Sequence, residues 1–190
     1  MEFKGSRTEK NLLAAFAGES QARTRYTFFA SAAKKEGYEQ ISGIFQETSD
    51  NEKEHAQLFF NHLKGGNVEI VASYPAGVIA STLENLKAAA DGEKLEWGTL
   101  YPNFAEVAQE EGFPDVAKTF RMVAKVESYH ERRYRKLITN VEQSKVFRKD
   151  TPIKWKCRNC GYVFEGADTP EKCPTCSHPR SYFEVWCENY

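Results

Sequence analysis

Shifting the sequence by 75 residues lays Tyr26 on Tyr101, Phe29 on Phe104, Glu36-Gly37-Tyr38 on Glu111-Gly112-Phe113, Phe45 on Phe120, Glu52 on Glu127 and His55 on His130. A chain that repeats at this distance is built from two copies of one supersecondary unit. Each copy reads as a helical hairpin. Helix A opens on a capping box, Ser6 with Glu9, and stops near Gly37; helix B runs from about Tyr38 to Lys64 and stops at Gly65-Gly66. Helix C opens on a second capping box, Ser81 with Glu84, and ends before Gly112, and helix D runs from Pro114-Asp115 to about Ser144. Pro102 lacks an N–H and crowds the carbonyl of Gly98, which predicts a kink in helix C. One copy is slightly out of step, because Glu19 falls one residue off its counterpart Glu93.

Two hairpins joined by one long connection, residues 65–80, have the topology of a ferritin-like four-helix bundle. The seams of these helices are apolar at the 3-4 spacing of bundle cores, yet each is interrupted by a carboxylate. In helix D the stripe Val116, Phe120, Val123, Leu137 and Val141 is broken by Glu127 and His130; in B, Ile41, Phe45 and Phe59 are broken by Glu52 and His55. Glu19 and Glu93 stand on the seams of A and C. Each Glu-x-x-His places both side chains on one helix face, about 5 to 6 Å apart at Cβ, a spacing that suits one metal ion. Carboxylates from all four helices would make an untenable apolar core, since an unpaired buried charge costs several kcal/mol. Only metal or wholesale protonation makes such a seam tolerable; a two-metal site with Glu19, Glu52, His55, Glu93, Glu127 and His130 is expected, and oxygen and nitrogen ligands without sulfur suit iron or manganese better than copper. Glu96, whose counterpart at 21 is Gln, adds a fifth carboxylate one turn beyond Glu93 and favours the more oxidised metals; the alternative is a solvated helix residue. Tyr26 and Tyr101 lie about two turns beyond Glu19 and Glu93, placed either to donate hydrogen bonds to the ligating carboxylates or simply to fill core.

The C-terminal region differs in texture. Cys157-Arg-Asn-Cys160 and Cys173-Pro-Thr-Cys176 form C-x2-C-x12-C-x2-C, the pattern of one tetrahedral four-thiolate site, for which spacing alone does not separate zinc from iron. A segment of about 37 residues is too short to fold on its own core, so the metal folds it. Expected boundaries are a bundle over 1–146, a linker over 147–153 containing Pro152, and a small β-rich metal-stabilised domain over 154–190. Cys187 stands outside the pattern with no assigned role. His178 reads as a loop hydrogen-bonding residue, and His62 as a seam position near the end of helix B, where the dipole tolerates a cation.

Charge and hydropathy exclude other classes. With 26 Lys and Arg against 27 Asp and Glu, the chain has no basic field to gather nucleic acid or anionic lipid. The longest apolar run, Leu12 to Ala17, is far below the roughly 20 residues a membrane helix needs, and MEFKGSRTEK has no apolar signal region, so a soluble cytoplasmic protein is expected.

With GESQAR around Glu19, the paired Glu-x-x-His motifs, Glu93-x-x-Glu96 and the tail motifs CRNCGY and CPTCSHP, the chain resembles rubrerythrins over essentially its whole length. The twelve residues between knuckles and Ser177 depart from free-standing rubredoxins and look like the rubrerythrin version of that module. The resemblance implies a non-haem peroxidase that reduces hydrogen peroxide to water, usually as a homodimer, with three iron ions per chain, two on the seam and one Fe(Cys)4. It implies bridging by Glu52 and Glu127, terminal ligation by Glu19 and Glu93, a fixed nitrogen from His130, and exchange of Glu96 for His55 at one iron on reduction. A partner reductase or rubredoxin would bring electrons from NAD(P)H. The competing expectation is an iron-handling, ferroxidase-type ferritin-like protein, against which the electron-transfer tail argues.

Overall fold

The structure, a computed structural model, describes residues 2–189. Four helical rods form the bundle: α1 (Arg7–Lys35), α2 (Glu39–Phe60), the pair α3 (Thr82–Leu95) and α4 (Tyr101–Glu110), and α5 (Pro114–Glu142). The tail holds β1 (Arg148–Cys157), β2 (Val163–Asp168) and β3 (Phe183–Val185) in one antiparallel sheet of order β2-β1-β3. Among the described residues no helix is long and apolar enough to cross a membrane.

The hairpin turns are alike because their sequences are. Gly37 and Gly112 take φ of 84° and 86°, and the following amides, Tyr38 and Phe113, donate to Ala33 and Ala108 at 2.9 and 2.8 Å. This is the glycine-dependent helix stop expected from Glu-Gly-aromatic. The glutamate ahead of each glycine does more than end a helix. Glu111 reaches the start of α1, where its carboxylate accepts from the Thr8 amide at 2.8 Å and the Thr8 hydroxyl at 2.6 Å; Glu36 reaches the start of α3 and accepts from the Thr82 amide at 3.0 Å. Each hairpin thus caps the other across a pseudo-twofold axis. The capping box at Ser81 and Glu84 closes, whereas at α1 only half forms: Ser6 accepts from the Glu9 amide, but Glu9 turns to the Gly5 amide at 2.6 Å.

Helix C differs from the expectation of a simple kink. Between α3 and α4 the chain makes one π turn, Glu96–Leu100, in which the Tyr101 amide donates to the Glu96 carbonyl. A π turn absorbs one extra residue without rotating the helix beyond it. Up to Gly18/Gly92 and Glu19/Glu93 the repeat runs at an offset of 74, and from Tyr26/Tyr101 onward at 75, so the extra residue is the π turn itself. α2 stops at Phe60, four residues short of Lys64, because the last turn tightens through His62 to Phe59 and Leu63 to Phe60 bonds. His62 therefore lies just beyond the helix, paired with the Thr119 hydroxyl at 2.8 Å, and burial lowers its pKa.

The apolar core is divided in two. One cluster gathers Tyr26, Phe29, Ile41, Phe45, Leu86 and Tyr134, the other Leu12, Phe59, Tyr101, Val116, Phe120 and Val123. The seam carboxylates and histidines form a polar layer between them. In the tail, Trp155, Cys157, Cys173 and Phe183 make a third, small core. The stretch 147–153 is mostly strand rather than linker: β1 begins at Arg148, opposite Asp168, and its register slips before Ile153, where Pro152 has no N–H for a ladder. Tail meets bundle where Phe147 stacks on Tyr38 at 5.9 Å and where Arg158 crosses Gly43; a Cβ there would lie 2.7 Å from the guanidinium.

Candidate metal centres

Two ligand sets form within the polar layer, each with its donor atoms within 4.8 Å of one another: Glu19, Glu52, His55 and Glu127, and Glu52, Glu93, Glu127 and His130. Glu52 and Glu127 belong to both. All six residues are buried. His55 Nδ1 lies 2.8 Å from Glu52 and 2.7 Å from Glu127, and His130 Nδ1 lies 2.8 Å from Glu127 and 3.4 Å from Glu52. In spite of these distances, Glu19 Oε2, Glu93 Oε2, both oxygens of Glu52 and of Glu127, and both Nδ1 atoms make no hydrogen bond. Atoms this close, buried and yet misaligned for hydrogen bonding point at common centres instead of at each other. That is the geometry of ligands, so the residues fit a pair of metal ions.

Tyrosines orient the outer carboxylates crosswise. Tyr26 on α1 donates to Glu93 on α3 at 2.5 Å, and Tyr101 on α4 donates to Glu19 on α1. Each leaves the second carboxylate oxygen free for a metal. Electrostatics without a cation would be severe. Burial, reinforced by neighbouring carboxylates, pushes Glu19 and Glu127 well above the usual carboxylate range and raises Glu93. Burial opposes the imidazolium of His130, but the adjacent Glu127, Glu52 and Glu93 push it up to about 12, while the two imidazoles hold Glu52 down against its own burial.

Glu96 falls outside both four-residue sets, and burial, reinforced by Glu93, Glu127 and Glu52, pushes its carboxyl well above the usual range. His55 fills the corner between Glu52 and Glu127, and Glu96, half-buried on the π turn, lines an adjacent cavity of about 220 Å³ with Gly18, Gln21, Arg25 and Tyr101. The crossover covers this cavity, Tyr74 and Pro75 forming part of its wall. Neither Arg25 nor the covering role of the crossover is legible in the sequence, because position 25 aligns with Leu100 in the repeat and residues 65–80 carry no periodicity.

In the tail, Cys157 and Cys176 sulfurs lie 3.8 Å apart and Cys160 and Cys173 sulfurs 3.6 Å apart, with all four within 4.8 Å. Four thiolates at about 2.3 Å from one tetrahedral ion stand about 3.8 Å apart, so the cluster is sized for a metal. The two knuckles repeat one backbone pattern: Gly161 and Ser177 amides donate to Cys157 and Cys173 carbonyls at 2.9 and 2.8 Å, with φ of 80° and 60°. Ser177 adopts the left-handed conformation that glycine takes in the first knuckle. The His178 amide, the largest influence on it, brings the Cys176 thiol down to about 6. His178 Nδ1 also pairs with the Cys176 carbonyl at 3.2 Å, and Cys187 is exposed.

A ferritin-like bundle with a carboxylate-rich two-metal layer and a four-cysteine, rubredoxin-like tail defines a non-haem di-iron protein that carries its own thiolate-bound iron. A family profile described as Rubrerythrin matches residues 10–138, and one described as Rubrerythrin, rubredoxin-like domain, matches 155–184. Rubrerythrin of Porphyromonas gingivalis is 62% identical over 187 residues, covering 98% of this chain and 94% of the relative; that of Clostridium perfringens is 57% identical over 191 residues, covering 98% of each. A structure of nigerythrin in its mixed-valence state superimposes with a TM-score of 0.63 at 33% identity, covering 96% of this chain and 90% of the other. The chain belongs to the rubrerythrin family, an oxidoreductase family whose di-iron carboxylate and four-cysteine iron sites match its two clusters.

Proposed function

We propose that the chain is a peroxidase: one hydrogen peroxide, two electrons and two protons give two waters, and electrons enter one at a time through the four-thiolate tail. One observation carries the reading. Two histidine-carboxylate sites sharing Glu52 and Glu127 occur in the same chain as a four-cysteine cluster. Iron bound in a pair supplies two electrons to the O–O bond in a single encounter. Glu52 and Glu127, common to both sets, would hold both ions, Glu19 and Glu93, oriented by Tyr101 and Tyr26, would each hold one, and His130 would supply a nitrogen. His55 and Glu96 are alternatives at one position. The arrangement with His55 inside and Glu96 set back suits a ferrous pair, since a neutral imidazole compensates less charge than a carboxylate. The cavity beside Glu96 admits a molecule as small as peroxide while Leu100, Tyr101 and Phe104 limit its water.

The bundle over 1–146 is the catalytic unit and 154–190 the electron-transfer unit, refilled by a reductase or rubredoxin that draws on NAD(P)H. The protein acts in the cytoplasm against oxidative stress, as a homodimer. Support for a second copy comes from Val71, Val78 and Ile79 on the crossover and Phe28 on α1, all exposed and apolar. The test is anaerobic reduction followed by one equivalent of peroxide, watching both iron chromophores. The di-iron absorption returns first, and the ferric four-thiolate colour then returns as that site gives up its electron. Faster reoxidation by dioxygen than by peroxide would overturn the assignment in favour of a ferroxidase.

A further inference from the structure

The α3–α4 rod runs antiparallel to α1, since Glu111 after the end of α4 caps the start of α1 and Glu36 after the end of α1 caps the start of α3. The cavity of about 220 Å³ between them is therefore divided along its length. In one half Ala14 and Ala15 of α1 lie across from Leu100 and Phe104; in the other, Gln21 and Arg25 lie across from Glu96. The crossover closes the outer side from Val71 to Pro75, and Arg25 pins it there, its Nη1 donating to the Pro75 carbonyl at 3.1 Å. Arg25 Nε is buried and makes no hydrogen bond, a donor left for an acceptor that the chain itself does not supply.

Gly18 lines the cavity where the two halves meet, one residue before Glu19, whose carboxylate accepts from Tyr101. Glycine in a helix interior weakens the helix relative to alanine. The packing of α1 gives no steric reason for it, because a Cβ at position 18 would meet nothing within 4 Å. What glycine preserves there is room, and hydrogen peroxide alone does not need it. At roughly 30 Å³ for each water, the cavity has space for about seven, whereas peroxide, with its two oxygens, fills about two such shares. A molecule of roughly four to six heavy atoms, polar at one end and apolar at the other, uses both the space and the two halves.

We infer that this cavity takes small alkyl hydroperoxides, so that the chain reduces ROOH as well as hydrogen peroxide. The peroxide end lies in the polar half, where Arg25 Nε finds its acceptor, and the alkyl group fills the half walled by Ala14, Ala15, Leu100 and Phe104. The inference rests on the peroxidase reading above and names a second substrate class for the same site. Its balance is ROOH, two electrons and two protons giving ROH and water, with the electrons coming from the source that serves hydrogen peroxide. The O–O bond breaks, one oxygen keeps the alkyl group and takes a proton, and the other leaves as water. Gly18 is then a specificity-determining position, since a side chain there takes the room that the alkyl group needs.

The experiment compares tert-butyl hydroperoxide with hydrogen peroxide as oxidants of the anaerobically reduced full chain, in wild type and in Gly18→Leu, with iron content measured for each protein. Wild type is reoxidised by both. Gly18→Leu lowers the second-order rate with tert-butyl hydroperoxide about tenfold more than the rate with hydrogen peroxide. A second readout does not use turnover: tert-butanol, the alcohol product, binds the oxidised holoprotein saturably in ligand-observed NMR, and Gly18→Leu weakens that binding. If Gly18→Leu loads fewer than two irons, Ala14→Leu, which narrows the apolar half of the same cavity, carries the same comparison. Wild type that is reoxidised by hydrogen peroxide but not by tert-butyl hydroperoxide would overturn the inference, and so would equal slowing with the two oxidants or an absence of saturable tert-butanol binding. Wild type that hydrogen peroxide itself does not reoxidise would sink the peroxidase reading and this inference with it, a failure that the hydrogen peroxide arm separates from the narrower one.

Discussion

Glu96 has no explanation in the duplicated scaffold, since it sits in the one turn that the other half lacks. With His55 already in the cluster, six residues suffice to hold a metal pair, and Glu96→Ala should still load two irons. Its reoxidation by peroxide should slow by about tenfold or more, equivalent to losing roughly 1.4 kcal/mol of transition-state stabilisation. Glu106→Ala, an exposed residue on α4, serves as the control. Stopped-flow traces at the wild-type rate with both irons present would reduce Glu96 to a helix residue beside a cavity.

Among the helices, the two turn glutamates interlock the hairpins. Contacts with Thr8 first, and also with Arg7, hold the Glu111 carboxyl down at about 2. A depressed carboxylate pKa contributes stability that is present above the ordinary value of 4.5 and lost as pH falls through about 2. Glu111→Gln should therefore melt lower than wild type at pH 7, with the gap closing as acid protonates the wild-type residue. Thermal melts at pH 7 and near pH 2 check this, and a gap that stays constant would show that the ionised cap does not contribute. The capping partners lie in different hairpins, 103 residues apart for Thr8 and Glu111, which is why Glu-Gly-aromatic reads in the sequence only as a helix stop. The π turn leaves a trace there, the one-residue slip between Glu19 and Glu93, but a slip alone does not say how a helix absorbs it.

For the whole molecule, metal and protons compete for the same layer. In protein stripped by a chelator, raised pKa values at Glu19, Glu93, Glu96 and Glu127 mean that the fold binds more protons than the unfolded chain, so stability falls as pH rises above the ordinary carboxylate value of 4.5. His130, raised to about 12 from 6.5, acts in the same sense above 6.5, and the lowered Glu52 opposes it. Iron-loaded protein should show the reverse slope, because ligation requires these groups deprotonated. Calorimetry of both forms at pH 6 and 8 decides; the same sign in both would mean that the layer does not ligate. The tail should be separable, though not at Pro152, which lies within β1. Truncation after Ser144 should leave a folded bundle with two of the three irons and donor-linked turnover reduced by about tenfold or more, measured by metal analysis and steady-state assay. Unchanged turnover would place electron entry elsewhere. Spacing along the chain by itself marked the ligand positions, though not which metal they hold: a separation of three puts Glu52 beside His55 and Glu127 beside His130 on one helix face, and two C-x2-C knuckles bend back whatever surrounds them. Only the tertiary structure decided that Tyr26 serves Glu93 and Tyr101 serves Glu19, that His55 stands inside while Glu96 stands back, and that the crossover pins Arg25 over the cavity. Those pairings join residues 50 to 82 apart in the chain, and such contacts follow from how whole helices pack, which no local spacing encodes.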